Sequence, residues 1–477
     1  LPSMVSTHLC YQRNSLTLER FNQMTLDIPT TTDDILTSDT HLIQSFADLN
    51  ALKQNDARTV IVGAEGAYVT DSDGNKLIDG IGGLWCVNAG HRRKEIINAI
   101  TEQLNTLDYY STFYNFTHPT AATLAAKVAS LAPGHLNSVH FGNSGSVAND
   151  SAIRMLHHYY NRLGKPNKKL VLSREGAYHG STHLAMAMTT PAYSDGWDTA
   201  DGLVYHLKCP HFWRYGDGMT EEAYLDFLLE DAKSSIETLG SENIACFIAE
   251  PIQGAGGLIV PPEGYHTKMG ELCKVYDIKY VTDEVVTAFG RLGHFFASKD
   301  VFGVQPDIIT TAKGLTSGYQ PLSATIISDE IHEVISGEGA MFLHGMTYSG
   351  HPAASAAALA NIALMEEEGI PQRVQVTGKR FEKSLHKLAG LELVGEVRGS
   401  HFMMGIEFVK DKDTKSPFEP EDKIGLKIAR AAQRRGLIVR PLGNIAILSP
   451  TLIMDEDMID DVAAIMSDAI KEVQSEL

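Results

Sequence analysis

The chemistry this sequence offers most clearly rests on an aspartate and a lysine thirty positions apart, Asp283 and Lys313. Lys313 follows Asp307-Ile308-Ile309-Thr310-Thr311-Ala312, which reads as a buried strand. It precedes a turn-rich run, Gly314-Leu315-Thr316-Ser317-Gly318. Asp283-Glu284 closes a second apolar run, Tyr280-Val281-Thr282. A lysine and an aspartate, each at the carboxyl end of a strand, are what pyridoxal phosphate chemistry requires. The amine forms a Schiff base with the cofactor aldehyde, and the carboxylate keeps the pyridine nitrogen protonated so that the ring can take up electrons. Taken alone, Asp283-Glu284 also suits a Walker B-like acidic pair, but no G-x-x-x-x-G-K-[ST] loop occurs in the chain to accompany one.

Three further stretches could serve the same cofactor. Phe141-Gly142-Asn143-Ser144-Gly145-Ser146-Val147-Ala148-Asn149 links a strand to a helix whose apolar face is Ile153, Leu156, Tyr160 and Leu163. Small residues there leave backbone N–H groups free for an anion, so Gly145 and Ser146 are candidate phosphate ligands; a plain tight turn is the competing reading. The run lacks the last glycine of G-x-S-x-G and is no nucleophile elbow. Tyr178-His179-Gly180 follows a strand at 169–172, where an aromatic ring can stack on a pyridine or simply fill space. Glu250-Pro251-Ile252-Gln253-Gly254 follows the strand ending at Ala249; Gln253 could donate to a phenolate oxygen, or the pair could be a polar cap on a glycine-rich loop.

The elements that must position these residues alternate. Helical patterns separate short apolar strands at Ser138–Phe141, Lys169–Leu172, Ala245–Ala249, Tyr280–Thr282 and Asp307–Thr310, which implies a mostly parallel sheet with helices on both faces. Before them come a helix expected near Asp39–Leu52 and a hairpin, Ala67–Thr70 with Lys76–Asp79, turning on Asp71-Ser72-Asp73-Gly74-Asn75. After about residue 355 come helices at Ser355–Glu367 and Pro371–Leu388, then the run Phe402–Phe408. A helix through Ile424, Ile428 and Ala431 follows, then strands Leu437–Arg440 and Ile445–Leu448, and a last amphipathic helix on Ile459, Val462, Met466, Ile470 and Val473. A chain of 477 residues has room for more than one core. A net charge of −19 with no long basic run argues against nucleic acid or an anionic membrane as partner. The five cysteines, Cys10, Cys86, Cys209, Cys246 and Cys273, are scattered and lack metal spacing, so reduced thiols and no metal are expected. No apolar run reaches the ~18 residues of a membrane span, and Leu1–Arg20 lacks the apolar core of a signal peptide. A cytoplasmic location is the expectation.

In the order Ser144-Gly145-Ser146, Glu250-Pro251-Ile252-Gln253-Gly254, Asp283-Glu284-Val285-Val286-Thr287-Ala288-Phe289-Gly290-Arg291, Ala312-Lys313-Gly314 and His344 to Pro352, the motifs resemble those of class III pyridoxal-phosphate-dependent aminotransferases, over roughly residues 45 to 475. Gly83-Leu84-Trp85, Tyr178-His179-Gly180, Cys209-Pro210-His211-Phe212-Trp213-Arg214-Tyr215-Gly216 and Val439-Arg440-Pro441-Leu442-Gly443 point to the amine:pyruvate (ω-transaminase) branch. The resemblance implies an α/β fold of type I. A large domain (88–352) would carry a mainly parallel seven-stranded sheet. The N-terminal segment (1–87) would contribute to a small α+β domain completed by residues 353–477.

The resemblance also implies amino transfer from a primary amine or ω-amino acid to pyruvate or a related keto acid. Lys313 would be the Schiff-base lysine and Asp283 the partner of the pyridine nitrogen. Val285 and Tyr178 would sandwich the ring, and Thr347 would reach the phosphate of a neighbouring subunit in a homodimer or dimer of dimers. Trp85, Phe113, Tyr114 and Tyr178 would wall the substrate pocket. Arg440 would grip the carboxylate of an amino or keto acid bidentately and swing away for an uncharged amine. Val147, Ala288 and Leu292 depart from the family's usual Glu, Gly and Thr, which bears on loop packing near the phosphate and not on the reaction. An isomerase or decarboxylase on the same scaffold is the rival, since these motifs fix the electron sink and not which bond breaks. A catalytically silent binding protein would have no need of both Lys313 and Asp283.

Overall fold

The computed structural model describes residues 28–53, 58–200 and 202–477, which fall in two compact units. Cys10 and the stretch Leu1–Arg20 lie outside the described residues. The shorter unit takes the chain up to Val62 together with Asp71–Gly74. Here the single helix expected near 39–52 is replaced by two, Thr32–Asp39 and Leu49–Leu52. Thr31 caps the first through Asp34 N–H, with Asp33 and Asp34 favourably placed in its opening turn. Asp48 accepts from the N–H groups of Asn50 and Ala51 and so begins a new helix inside the expected one.

The longer unit takes Gly63–Thr70 and Asn75–Leu477. Its central sheet has seven strands: β1 (Leu136–Gly142), β2 (Leu170–Arg174), β3 (Val204–Leu207), β4 (Ile244–Ala249), β5 (Lys279–Asp283), β6 (Ile308–Thr311) and β7 (Ser323–Ser328). They lie in the order β1-β7-β6-β5-β4-β2-β3, and only β7 runs antiparallel to its neighbours. Alternate side chains go to opposite faces. Val171, Cys246, Ile248, Val281 and Ile308 pack with Ala152, Ile153 and Leu156 of helix α1 (Gly145–Arg162). Leu172, Phe247, Ala249 and Tyr280 pack on the other face with Leu225, Leu228 and Met269. On α1, Ile153, Leu156 and Tyr160 are buried as expected, but Leu163 is the C-cap and 43% exposed, because Gly164 turns the chain with φ +72°.

The C-terminal region has helices α2 (Pro352–Glu367), α3 (Ile370–His386), α4 (Ile424–Gln433) and α5 (Glu456–Ser475) around an antiparallel sheet. In this sheet β8 (Val394–Ser400) pairs with β9 (Met403–Asp411), β9 with β11 (Ile445–Leu448), and β11 with β10 (Arg440–Leu442). The strand expected at 437–440 is divided. Leu437–Ile438 pairs in parallel with the Lys76–Asp79 arm of the hairpin, whose other arm runs Tyr68–Asp71, whereas Arg440 turns into β10. The hairpin itself keeps its expected register, with Tyr68 opposite Ile78 and Val69 opposite Leu77.

One buried guanidinium joins these pieces. Arg291 is fully buried and donates to the carbonyls of Phe402 and Pro450 and to Asn88 Oδ1, while Asn88 Nδ2 donates to Phe289 O at 2.7 Å. Burial pulls its pKa down to about 10, opposed by the charges of Cys86 and Asp79. Arg291→Met fills the same space but leaves three acceptors unpaired. It is expected to lower stability by about 2–4 kcal/mol, read as a fall in the urea midpoint. An unchanged midpoint would show that water can replace the guanidinium.

Candidate active site

The parallel strands end on one edge, and four of them deliver side chains there. Asp283 is the last residue of β5 and is 4% exposed. Three donors converge on its carboxylate. Asn149 Nδ2 on α1 and His179 Nδ1 after β2 meet Oδ2 at 2.8 and 2.7 Å, and the Val285 N–H donates to Oδ1 at 3.0 Å. Asn149 also donates to His179 O, and Thr310 Oγ1 on β6 donates to Asn149 Oδ1 at 2.6 Å. Neither Asn149 nor the side chain of His179 was singled out from the sequence. Asn149 sits one helical turn into α1, facing the sheet, a position that an apolar residue would usually take.

Glu250 follows β4 and its two oxygens accept from Tyr178 N–H (3.0 Å) and Gly254 N–H (2.8 Å). Burial raises its pKa, His179 and these backbone donors oppose the shift, and Asp283 adds to it. Gln253 is fully buried; its Nε2 donates to Glu175 O at 2.9 Å and its Oε1 has no partner among the described residues. Tyr178 is partly buried, with its hydroxyl 3.0 Å from Ser181 Oγ and its ring edge-on to Tyr193.

Lys313 lies just past β6 with φ +34°, a conformation unfavourable for any residue with a Cβ. The turn is held by Asn361 of α2, whose Nδ2 donates to the carbonyls of Gly314 and Leu315, and by Ser317 Oγ bonding Asn361 Oδ1. Burial pushes the Lys313 amine below its ordinary pKa. Asp283, Cys86 and Glu250 pull it back up, and the positive charge of Arg440 pushes it down again. Arg440, at the start of β10, is partly exposed and lies over the Trp85 ring at 5.6 Å, its guanidinium making no ion pair or hydrogen bond to any described residue. Trp85 is 2% exposed, has φ +66°, and its indole N–H has no partner among the described residues.

At the amino end of α1, Ser144 Oγ caps Val147 N–H, while the N–H groups of Gly145 and Ser146 donate to nothing among the described residues. A Cβ on Gly145 would stand 2.9 Å from Val285 Cγ1, so glycine lets that side chain sit against the helix start. Ser146 Oγ accepts from Ser181 N–H at 3.1 Å. Free amides at the positive end of an eighteen-residue helix, a buried carboxylate and a desolvated amine suit the phosphate, pyridinium and aldehyde of pyridoxal phosphate respectively.

Three other candidates form a separate group. Thr347 is exposed, and its carbonyl accepts from Tyr109 OH at 2.7 Å. Phe113 abuts Gly345, and Tyr114 is 95% exposed with φ +57°. No hydrogen bond joins Phe113, Tyr114 or Thr347 to the Lys313 group among the described residues. The three departures are apolar packing. Val147 lies against Gly142, Ala288 is buried in the main core, and Leu292 lies in the cluster of Trp85, Ile252, Leu258 and Ile447.

The chain matches the family described as aminotransferase class-III over residues 51–470. It is 41% identical over 425 residues to the putrescine–pyruvate aminotransferase of Pseudomonas aeruginosa, covering 88% of this chain and 92% of that one. It is 40% identical over 418 residues to gamma-aminobutyrate transaminase 1, mitochondrial, of Oryza sativa subsp. japonica, covering 86% and 81%. Among solved structures, an (S)-enantioselective ω-transaminase from Thermomicrobium roseum superposes with TM-score 0.90 at 38% identity, covering 92% and 98%. A thermostable ω-transaminase mutant from Pseudomonas jessenii gives 0.88 at 35%, covering 92% and 98%.

The donor triad on Asp283 has a measurable consequence. Asn149→Ala removes one donor to the carboxylate and leaves Thr310 without its acceptor. It is expected to lower turnover by about tenfold to a hundredfold, the rate equivalent of one hydrogen bond to a charged group. A loss below twofold in single-turnover kinetics at saturating cofactor would show that His179 and Val285 suffice.

Proposed function

Because the chain belongs to the class-III aminotransferases, which use pyridoxal phosphate, we propose that it transfers an amino group from a primary amine or ω-amino acid to pyruvate or a related keto acid. The observation that carries this reading is Arg440, a guanidinium over Trp85 with no acidic partner among the described residues, whose charge adds to the burial that lowers the Lys313 amine. A cation held free beside the reactive lysine is suited to a substrate carboxylate. The putrescine–pyruvate relative supports the choice of acceptor.

The residues take roles accordingly. Gly145 and Ser146 hold the phosphate through backbone N–H groups, joined by Thr347 of the partner subunit. Asp283 holds the proton on the pyridine nitrogen, and its own three donors keep it in place. Val285 and Tyr178 contact the ring faces, Gln253 offers its second amide N–H to the ring oxygen, and Glu250 fixes the Tyr178 backbone. The bound cofactor supplies an electron sink for the pair left at the substrate Cα. Lys313 Nζ takes the Cα proton, which its burial favours because a desolvated amine is more readily neutral. Trp85, with Phe113 and Tyr114 of the partner subunit, walls the substrate.

The active unit is then a homodimer or a dimer of dimers. The exposed apolar side chains Tyr114, Phe342, Leu343 and Tyr348, on or beside the two segments that would cross between subunits, support this. The division at 87/88 and 352/353 is supported by sheet membership, since all seven central strands lie between residues 136 and 328. A cytoplasmic location is supported by the four described cysteines, Cys86, Cys209, Cys246 and Cys273, all free thiols; no described helix is long and apolar enough to cross a membrane.

Pyruvate-dependent formation of alanine from 1-phenylethylamine, putrescine, β-alanine, taurine or 4-aminobutyrate tests the reading. Product without any need for a keto acid would favour the isomerase or decarboxylase instead. Lys313→Ala should abolish covalent attachment of cofactor after borohydride treatment; an adduct on the variant by mass spectrometry would place the anchor on another lysine. Arg440→Ala should weaken pyruvate by about 2–4 kcal/mol in transition-state terms while changing the aromatic-amine half-reaction far less.

A further inference from the structure

The Cys209–Gly216 motif has no part in the site, yet it docks onto the C-terminal sheet by charge. His211 Nε2 lies 3.0 Å from Glu396 Oε2 on β8, and Arg214 ion-pairs with Glu407 on β9 and donates to Lys415 O at 2.8 Å. His211, Glu396 and Glu407 place ligand atoms within 4.8 Å of one another, as a metal site would. The cation there is already supplied by protein. Arg398 Nη1 sits between the carboxylates, 2.6 Å from Glu396 and 2.5 Å from Glu407. Burial would raise the Glu396 carboxyl, but the His211 hydrogen bond and the Arg398 charge hold it below its ordinary pKa.

A second donor of Arg398 points at the active-site loop. Its Nε donates to Gly257 O at 2.6 Å, at the end of the stretch that begins with Glu250 and Gln253. Gly257 has φ +112°, and a Cβ there would meet Arg398 Nη2 at 2.9 Å. The strand register then connects this clasp to the substrate pocket. Arg398 is opposite Gly405, Gly405 opposite Ile447, and Ile447 opposite Arg440. Directly opposed residues of antiparallel strands share a face, so the two arginines end one transverse row, roughly 14 Å long at the ordinary strand spacing. Loop residues lie over the middle of that row: a Cβ on Gly405 would stand 3.2 Å from Leu258 Cβ and 3.4 Å from Gly257 O. Leu258 and Ile447 belong to the apolar cluster that contains Trp85, over which Arg440 lies.

The geometry points to Arg398 as a positioning residue for substrate-carboxylate recognition: by fastening one end of the Arg398–Gly405–Ile447–Arg440 row to Gly257, it sets where Arg440 stands against the Glu250–Gly257 loop and Trp85. It rests on the reading of Arg440 given above. Arg398 touches neither cofactor nor substrate, and its effect is confined to substrates that Arg440 must grip.

A double-mutant cycle on the cofactor-saturated enzyme tests this. Arg398→Met should raise KM for pyruvate by about tenfold while the 1-phenylethylamine half-reaction, followed by the cofactor absorbance in single turnover, changes less than about threefold. In an Arg440→Ala background the same change should cost pyruvate less than about twofold more, because the group it positions is gone. Arg398→Lys, which cannot reach three acceptors with one ammonium, should fall between wild type and Arg398→Met. Gly405→Ala lifts the loop from the row without touching a charge and should reproduce the carboxylate-selective defect even if Arg398→Met does not fold. Multiplicative losses in the double variant, or equal losses for amine and pyruvate, would overturn the proposal and leave the reading of Arg440 intact. An Arg440→Ala enzyme with normal pyruvate kinetics would overturn both.

Discussion

A carboxylate at the end of a central parallel strand has left water behind and must find its donors within the protein. Asp283 does so in three directions, and the consequences reach most of the site. The Asn149 donor fixes the first turns of α1, whose amides are the proposed phosphate ligands. The His179 donor fixes the residue after Tyr178, and so the ring that would stack on the cofactor. The Val285 N–H fixes the side chain that meets Gly145. Thr310, bonded to Asn149 and paired with Asp283 across the strands, extends the network to β6, three residues before Lys313. Compensating one charge therefore orients groups contributed by β2, β5, β6 and α1.

Lys313 is held by a second network, which offsets an unfavourable backbone. A lysine at φ +34° with a desolvated amine is unfavourable both in conformation and in electrostatics. The turn persists because Asn361 and Ser317 satisfy its carbonyls and one another, and because Ala89 N–H donates to Ser317 Oγ at 3.0 Å. The stabilising partners thus come from α2 and from the segment just after Trp85, far from Lys313 in sequence. Local strain where the chemistry is done is balanced by buried hydrogen bonds that take no part in it.

Five of the seven central strands were legible as short, largely apolar runs, as strands buried on both faces tend to be, whereas β3 and the antiparallel β7 were not located from the sequence. The hairpin was legible from its Asp-Gly turn. Lys313, Asp283, Glu250 and Arg440 could be proposed because their strand-end placement repeats a family order. What escaped depended on partners distant in sequence. Asn149 reads as one more polar residue on α1 until Asp283, 134 positions later, is seen against it. Leu437–Ile438 and Arg440–Leu442 read as a single strand, and only the parallel pairing of the first with Ile78 and Asp79 divides them. The helix expected near 39–52 gives way to two because Asp48 caps a new helix within that span.

Arg398 and Arg440 show how one row of a sheet can give the same side chain opposite fates. Arg398 is 7% exposed and holds three acceptors, Gly257 O through Nε and Glu396 and Glu407 through Nη1. A guanidinium committed in this way has little left with which to bind a ligand, and removing it would leave Glu396 to His211 and Glu407 to Arg214. Arg440 has the reverse arrangement. It is partly exposed, rests on the face of Trp85, and its side-chain donors meet no acceptor among the described residues. Its charge is tolerated because water reaches one side and the indole quadrupole supports the other. Under the proposed reading, binding capacity comes from leaving Arg440 uncommitted, and the strand that carries it is tied through the Arg398–Gly405–Ile447–Arg440 row to an arginine committed to three acceptors.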